Sequence, residues 1–104
     1  ESSADIRLRV TRARDIQLQR FTGEGVYSNS AMSSRQIRKF CELDAPSETL
    51  LEKAMARQGL SARAHDRILK VARTIADLEG SANIQPNHIG EAIGYRSLEK
   101  NYSL

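Results

Sequence analysis

Apolar residues recur at helical intervals through residues 59–80, and a polar line runs opposite them. Ala64, Ile68, Val71, Ala72 and Ile75 form the apolar stripe. Glycine stands at each end, at Gly59 and Gly80, where a left-handed residue stops a helix. Ser61 is placed to cap the helix that begins after Gly59. Small residues at 64, 72 and 76 let neighbouring helices approach closely. The shorter patterns elsewhere read as helices that pack on this apolar side.

Residues 3–21 predict a first helix, capped by Ser2 or Ser3. Ile6, Val10, Ala13 and Phe21 fall within roughly 80° of one another at 100° per residue. Arg7, Arg14 and Gln17 lie close to that stripe, while Leu8 and Leu18 lie outside it. Cover on more than one side is therefore expected. Residues 22–32 lose the period through Gly, Ser and Asn and are long for a bundle connection. They read either as a flexible linker or as a loop that lies on a partner domain.

Ser33 and Gln36 have capping-box spacing and open a second helix. Ile37, Phe40 and Cys41 form its apolar edge, and it is expected to end near Leu43. Asp44 or Ser47 caps a third helix, with Pro46 in the tolerated first turn. Leu50, Leu51, Ala54 and Met55 are expected to face inward before Gly59. After the fourth helix, Pro86 suits the first position of a fifth, with Ile84 and Ile89 spaced as a hydrophobic staple. Ile89, Ala92 and Ile93 are its burying residues. Past Tyr95 and Arg96 the period is lost, and residues 97–104 read as a flexible tail. No strand of usable length appears. The fold class is all-α, a small bundle of about five helices.

A length of 104 residues suits one domain with a modest core. With no Trp and few aromatic residues that core must be mostly aliphatic. The net charge of +3 comes mainly from arginine, which suits planar contacts to phosphate or carboxylate as well as an arginine-rich solvated surface. A single cysteine excludes an internal disulfide and a Cys-cluster zinc site, and Cys41 reads as a small buried apolar residue. No apolar run reaches membrane-spanning length and no signal peptide is visible, so a cytoplasmic protein with no membrane partner is expected. Glu1 in place of an initiating Met suggests a fragment of something longer.

Phosphate-binding G-x-x-x-x-G-K-[ST], nucleophile-elbow G-x-S-x-G and zinc-binding H-E-x-x-H patterns are absent. His65 and His88 stand far apart without companion ligands, so no metal site and no catalytic residue is expected. His65 is read as flanking the core face, and His88 as exposed in the first turn of the fifth helix. What remains is basic. Arg63, Arg67 and Lys70 lie within about 60° of one another, opposite Ile68 and Ala72. Thr74 extends their line, and Asp66, Arg73 and Asp77 border it. One reading is a solvated face laced with i,i+4 ion pairs, Asp66–Lys70 and Arg73–Asp77. The other aims Arg63 from the first turn toward an anion, helped by the positive end of the helix.

The segments MSSRQIRKFCELD and GLSARAHDRILKVARTIADLEGSANIQPNHIGEAIGYRSL closely resemble the C-terminal region of magnesium-chelatase-like AAA+ ATPases, ComM/YifB type. The resemblance runs from the first helix through Leu98. It implies that residues 33–96 are a helical lid, and that residues 1–32 lead from an α/β ATPase core outside this chain. Lids of this class carry a sensor-2 arginine that meets the γ-phosphate. The pattern R-x-x-x-x-[IL]-[IL]-[RK] places it at Arg63, with Arg67 as runner-up. ATP and Mg²⁺ are then cofactors of the parent protein, with none expected for the fragment and no ATPase activity from it alone. The implied partners are the chain's own AAA+ core and neighbouring subunits of a homo-hexamer. DNA is a further partner, through branch migration in competence and recombination. An alternative is a DNA-binding or subunit-packing module without a nucleotide role, with Arg35, Arg38 and Lys39 as possible DNA contacts and Arg7, Arg9, Arg12 and Arg14 of the first helix placed to track phosphates beside them.

Overall fold

The computed structural model describes the backbone of residues 1–102 and the side chains of residues 1–96. Five helices follow one another: α1 (Ser3–Arg20), α2 (Ser34–Phe40), α3 (Ala45–Gln58), α4 (Ala62–Glu79) and α5 (Pro86–Tyr102). A single 3-10 turn, Asn29–Ala31, sits between α1 and α2. The described residues contain no strand, only an isolated parallel bridge between Leu43 and Ile84. The molecule is an all-α bundle. None of its described helices is long and apolar enough to cross a membrane.

The helix ends follow from local chemistry. Ser2 accepts from the Asp5 amide and Asp5 answers back, so Ser2 rather than Ser3 is the cap of α1. Ser33 and Gln36 make the reciprocal pair at α2. Asp44, not Ser47, caps α3, accepting the Ser47 N–H at 2.8 Å. Ser61 accepts from Ala64 at α4. Gly59 and Gly80 close α3 and α4 at φ of 62° and 78°, a region that an L side chain enters only with strain.

Helix α4 is the centre, packed against α1, α2, α5 and the 3-10 turn, while α3 packs against α5. Ala72 and Ala76 are fully buried, and their small size brings neighbouring backbones close. Ile68, Ile84 and Ile89 fill the space around them at no more than 1% exposure. Each such side chain contributes roughly 2 kcal/mol of transfer free energy. Phe21, from the end of α1, meets Phe40 of α2 edge to face at 5.4 Å.

Four local expectations are corrected. Helix α2 ends at Phe40 rather than Leu43, because Leu43 turns away to pair with Ile84. Leu50 stays 37% exposed, since Leu51 and Ala54 already supply the buried side of α3. Helix α1 is not covered on several sides: Ala13 is buried, but residues 1–12 are all exposed. Helix α5 stays helical to Tyr102, beyond the Arg96 where its apolar period stops. Residues 103 and 104 of the expected tail lie outside the described residues.

Residues 22–32 are not a loose linker. The segment folds back on its own bundle, with Asn29 at 1% and Met32 at 4% exposure. Gln36 donates to the Glu24 carbonyl, fixing the start of the loop to α2.

Candidate functional site

The outward face of α4 and the exposed side of α1 line a groove of about 1590 Å³. Arg63, Arg67 and Lys70 reach it from α4, and Arg9 and Arg12 from α1. Its apolar lining includes Ile6, Val10, Val71, Ile75 and Leu78. The basic line read from the sequence is therefore one wall of a real depression.

The members of that line differ in their engagements. Arg63 is exposed at the second position of α4 and makes no ion pair among the described residues. Arg67 is also exposed, one turn further on. Lys70 donates to the Ser30 carbonyl at 3.1 Å instead of pairing with Asp66. Asp66 accepts from Ser34 and lies 3.3 Å from His65 Nδ1. The expected Asp66–Lys70 pair is thus replaced by a Lys70 contact to the α1–α2 connection and an Asp66 contact to the start of α2. His65 is half-buried.

The other expected pair, Arg73–Asp77, is made but is not solvated. Arg73 and Asp77 are exposed by only 4% and 2%. Asp77 Oδ1 accepts from Arg73 Nε at 3.2 Å and from Arg20 Nη2 at 2.6 Å. Its Oδ2 accepts from Arg20 Nη1 at 2.7 Å and from Asn29 Nδ2 at 2.9 Å. The remaining Arg73 donors reach the Ser81 and Ala82 carbonyls, closing the connection after Gly80. Burial draws the Arg73 guanidinium below its ordinary pKa, and Asp77 opposes that shift. One carboxylate thus joins α1, the 3-10 turn and the α4–α5 connection.

His88 is corrected as well. It is fully buried, not exposed, and its Nδ1 accepts the Gln85 N–H at 2.9 Å. The ring sits at the third position of α5 and caps backward onto the residue before Pro86. Because Nδ1 accepts, the neutral ring carries its proton on Nε2. Nε2 lies 3.2 Å from Glu79 Oε2, off the direction a hydrogen bond needs.

Arg35 and Lys39, two of the possible DNA contacts, both reach Glu24, at 3.6 and 2.8 Å. The Lys39 ammonium holds Glu24 below the usual carboxylate range. Arg38 is exposed on the same helix. These three do not line the α1–α4 groove. No group of His, Cys, Asp and Glu among the described residues is arranged to hold a metal ion.

Residues 1–96 match the family described as magnesium chelatase, subunit ChlI C-terminal. The chain belongs to that family. Competence protein ComM of Haemophilus influenzae is 44% identical over 98 residues, which are 94% of this chain and 18% of that protein. YifB of Escherichia coli is 41% identical over 100 residues, 96% of this chain and 19% of the relative. The Mycobacterium tuberculosis protein Rv2897c is 31% identical over 96 residues, 92% of this chain and 19% of the relative. The chain therefore spans under a fifth of the length of these relatives.

The Asp77 network is what sequence reasoning missed. Arg73 and Asp77 stand at helical spacing, but nothing local says that their face is buried. Arg20 lies 57 positions from Asp77, and no periodic signal links them.

Proposed function

We infer that the chain is the nucleotide-sensing lid of an AAA+ ATPase, and that Arg63 meets the terminal phosphate of ATP held by a core elsewhere in the full-length protein. One observation carries the reading. Arg63 projects from the first turn of α4 into the groove, exposed and without an ion pair among the described residues. Its planar guanidinium suits bidentate contact with phosphate oxygens, and the amino end of α4 adds positive potential beside it. Arg67, one turn on, is the second contact. Family membership supports the same assignment. ATP with Mg²⁺ supplies the hydrolysable phosphate; the residues of this chain bind, neutralise and orient it.

The rigid attachment of α1 to α4 through Arg20 and Asp77 favours movement of the lid as one body. In the full-length protein, a cytoplasmic homo-hexamer in this reading, that movement passes from the core to neighbouring subunits and drives a motor on DNA. A relative is named as a competence protein, and in this reading the track is DNA and the work done is branch migration. The experiment is ATP turnover and nucleotide affinity of the full-length protein carrying Arg63→Ala. Turnover is expected to fall at least ten-fold. Wild-type values for both quantities remove Arg63 from the site.

Autonomous DNA binding through Arg35, Arg38 and Lys39 is the weaker reading, because Glu24 already engages two of the three. A salt titration of the chain on branched DNA tests it. Phosphate contacts make binding fall steeply with salt.

A further inference from the structure

Arg96 of α5 is a half-buried cation with an open head. It packs into the seam between α4 and α5, in a small recess lined by Arg67, Ile68 and Val71 of α4 and by Ala92 and Tyr95 of α5. Its Nε is buried and has no hydrogen-bond partner. The residue as a whole keeps part of its surface in solvent. The stem and Nε therefore lie along the apolar seam, and the terminal nitrogens carry the exposure. An arginine stem packs in this way while its charged head stays outside. A head held by its own stem loses little freedom when a partner arrives.

The neighbouring cations of α4 are already engaged. Lys70 donates to the Ser30 carbonyl, Arg73 is buried on Asp77, and Arg67 has a partner of its own. Arg96 has neither an ion pair nor a hydrogen bond among the described residues. Buried polar atoms left without a partner are few in folded proteins. With Nε closed off, Arg96 offers only its two terminal nitrogens, an end-on fork that fits two oxygens of one phosphate.

Location connects this fork to the nucleotide. Arg67, Val71 and Tyr95 line both the recess and the α1–α4 groove, so the surface is continuous from Arg63 to Arg96. Arg67 follows Arg63 by four residues, about 6 Å along the helix axis. Arg96 stands beside Arg67, one turn further than Arg63 from the amino end of α4. A chain of phosphates that ends at Arg63 and runs along α4 reaches this corner. We propose that Arg96 is a further phosphate contact of the lid, on a phosphate of ATP nearer the ribose than the one at Arg63. The proposal rests on the reading of this chain as a nucleotide lid.

The test titrates fluorescent ATP and ADP analogues into the full-length protein carrying Arg96→Met, which keeps a packed stem and removes the head. ADP lacks the phosphate assigned to Arg63 and keeps the one assigned to Arg96. Arg96→Met is expected to weaken both nucleotides about ten-fold, the worth of one charge-assisted contact. Arg63→Ala is expected to weaken ATP and leave ADP unchanged. Arg96→Lys should restore part of the ADP affinity, and salt should weaken ADP less in Arg96→Met than in the wild type. Lost packing moves neither of these last two readouts. Wild-type ADP affinity in Arg96→Met overturns the proposal whatever Arg63→Ala does; a changed sedimentation of that variant then assigns the head to a carboxylate of a neighbouring subunit. A loss that Arg96→Lys does not recover, with unchanged salt dependence, makes Arg96 a packing residue and overturns the proposal too. ADP affinity lost in Arg96→Met beside ATP affinity indifferent to Arg63→Ala removes Arg63 from the site and keeps Arg96 on phosphate.

Discussion

Arg20 and Asp77 face each other as a two-pronged ion pair, Nη1 to Oδ2 at 2.7 Å and Nη2 to Oδ1 at 2.6 Å, although 57 positions separate them. The pair fastens the end of α1 to the end of α4, with Asp77 only 1% exposed at its side chain and Arg20 12%. Asn29 and Arg73 take the remaining directions around the carboxylate. Two arginines on one acid leave a net positive charge in the cluster. Arg73 offsets this by donating to the Ser81 and Ala82 carbonyls. The same residues that hold α1 also place Ser30, whose carbonyl takes Lys70 on the groove wall.

Asp77→Asn keeps the shape and removes the charge, leaving Arg20 and Arg73 together without a counter-ion. Breaking a buried ion pair from one side costs about 3–5 kcal/mol. Urea unfolding of Asp77→Asn is expected to show a loss of that order. Arg20→Met is expected to cost less, since Arg73 still neutralises Asp77. In the double variant the two losses should fall short of their sum, because the removed partners no longer face unpaired charges. Strict additivity means that the two residues act independently despite their contact.

His88 closes the amino end of α5 from inside. His88→Ala removes the acceptor for the Gln85 N–H and empties a fully buried site. A lost cap costs ~1 kcal/mol and a core truncation adds to it, so a total of about 2–4 kcal/mol is expected by urea unfolding. His88→Asn restores an acceptor near the helix start and should recover part of the loss. A loss below about 0.5 kcal/mol for His88→Ala, the range of ordinary surface substitutions, means that neither the cap nor the packing matters.

These two sites mark where sequence reading runs out. Caps and stops were legible because they depend on a few adjacent residues: Ser33 with Gln36, Ser61 with Ala64, Gly59 and Gly80. The all-α class and the central role of α4 followed from a strong apolar period. The burial of Arg73, Asp77 and Asn29 was not legible, since polar residues on the edge of a stripe read as solvated until a distant partner is known. His88 misled for the same reason, as its ring turns back to a backbone group instead of following the helix face. At the groove, the sequence displayed the Arg63, Arg67 and Lys70 line. It could not show that Ile6 and Val10 of α1 supply another wall.

Arg63 and Arg73 lie ten positions apart on α4 and should behave oppositely when removed. Arg63 is exposed and outside the ion-pair network, so Arg63→Ala should change the stability of the chain by no more than about 0.5 kcal/mol. Arg73→Ala leaves the Ser81 and Ala82 carbonyls without their donor and opens a cavity beside Asp77, so a loss of about 2–4 kcal/mol is expected. Thermal and urea unfolding of the two variants measure the contrast. Arg63→Ala that unfolds like Arg73→Ala shows a structural residue, and the nucleotide role then loses its basis in an exposed side chain.

Cys41 gives the chain an alkaline limit. Burial pushes its thiol from an ordinary value of 9.0 up to about 11, and it is 3% exposed in the core. Above pH 9 the unfolded chain releases this proton while the folded chain keeps it. The unfolded state then binds fewer protons, so stability falls as pH rises. The contribution is intact below about pH 9 and is lost progressively toward pH 11. At 1.36 kcal/mol per unit the loss is on the order of 2–3 kcal/mol. Urea unfolding from pH 8 to 11 should show this fall in the wild-type chain. Cys41→Ala, which has no thiol to titrate, should show a shallower one by the same amount. At pH 7.5 the folded chain should also resist thiol reagents until urea unfolds it, because the thiolate that reacts is scarce and enclosed. Parallel pH profiles for the two proteins, together with fast labelling in the native state, mean that Cys41 is open to solvent.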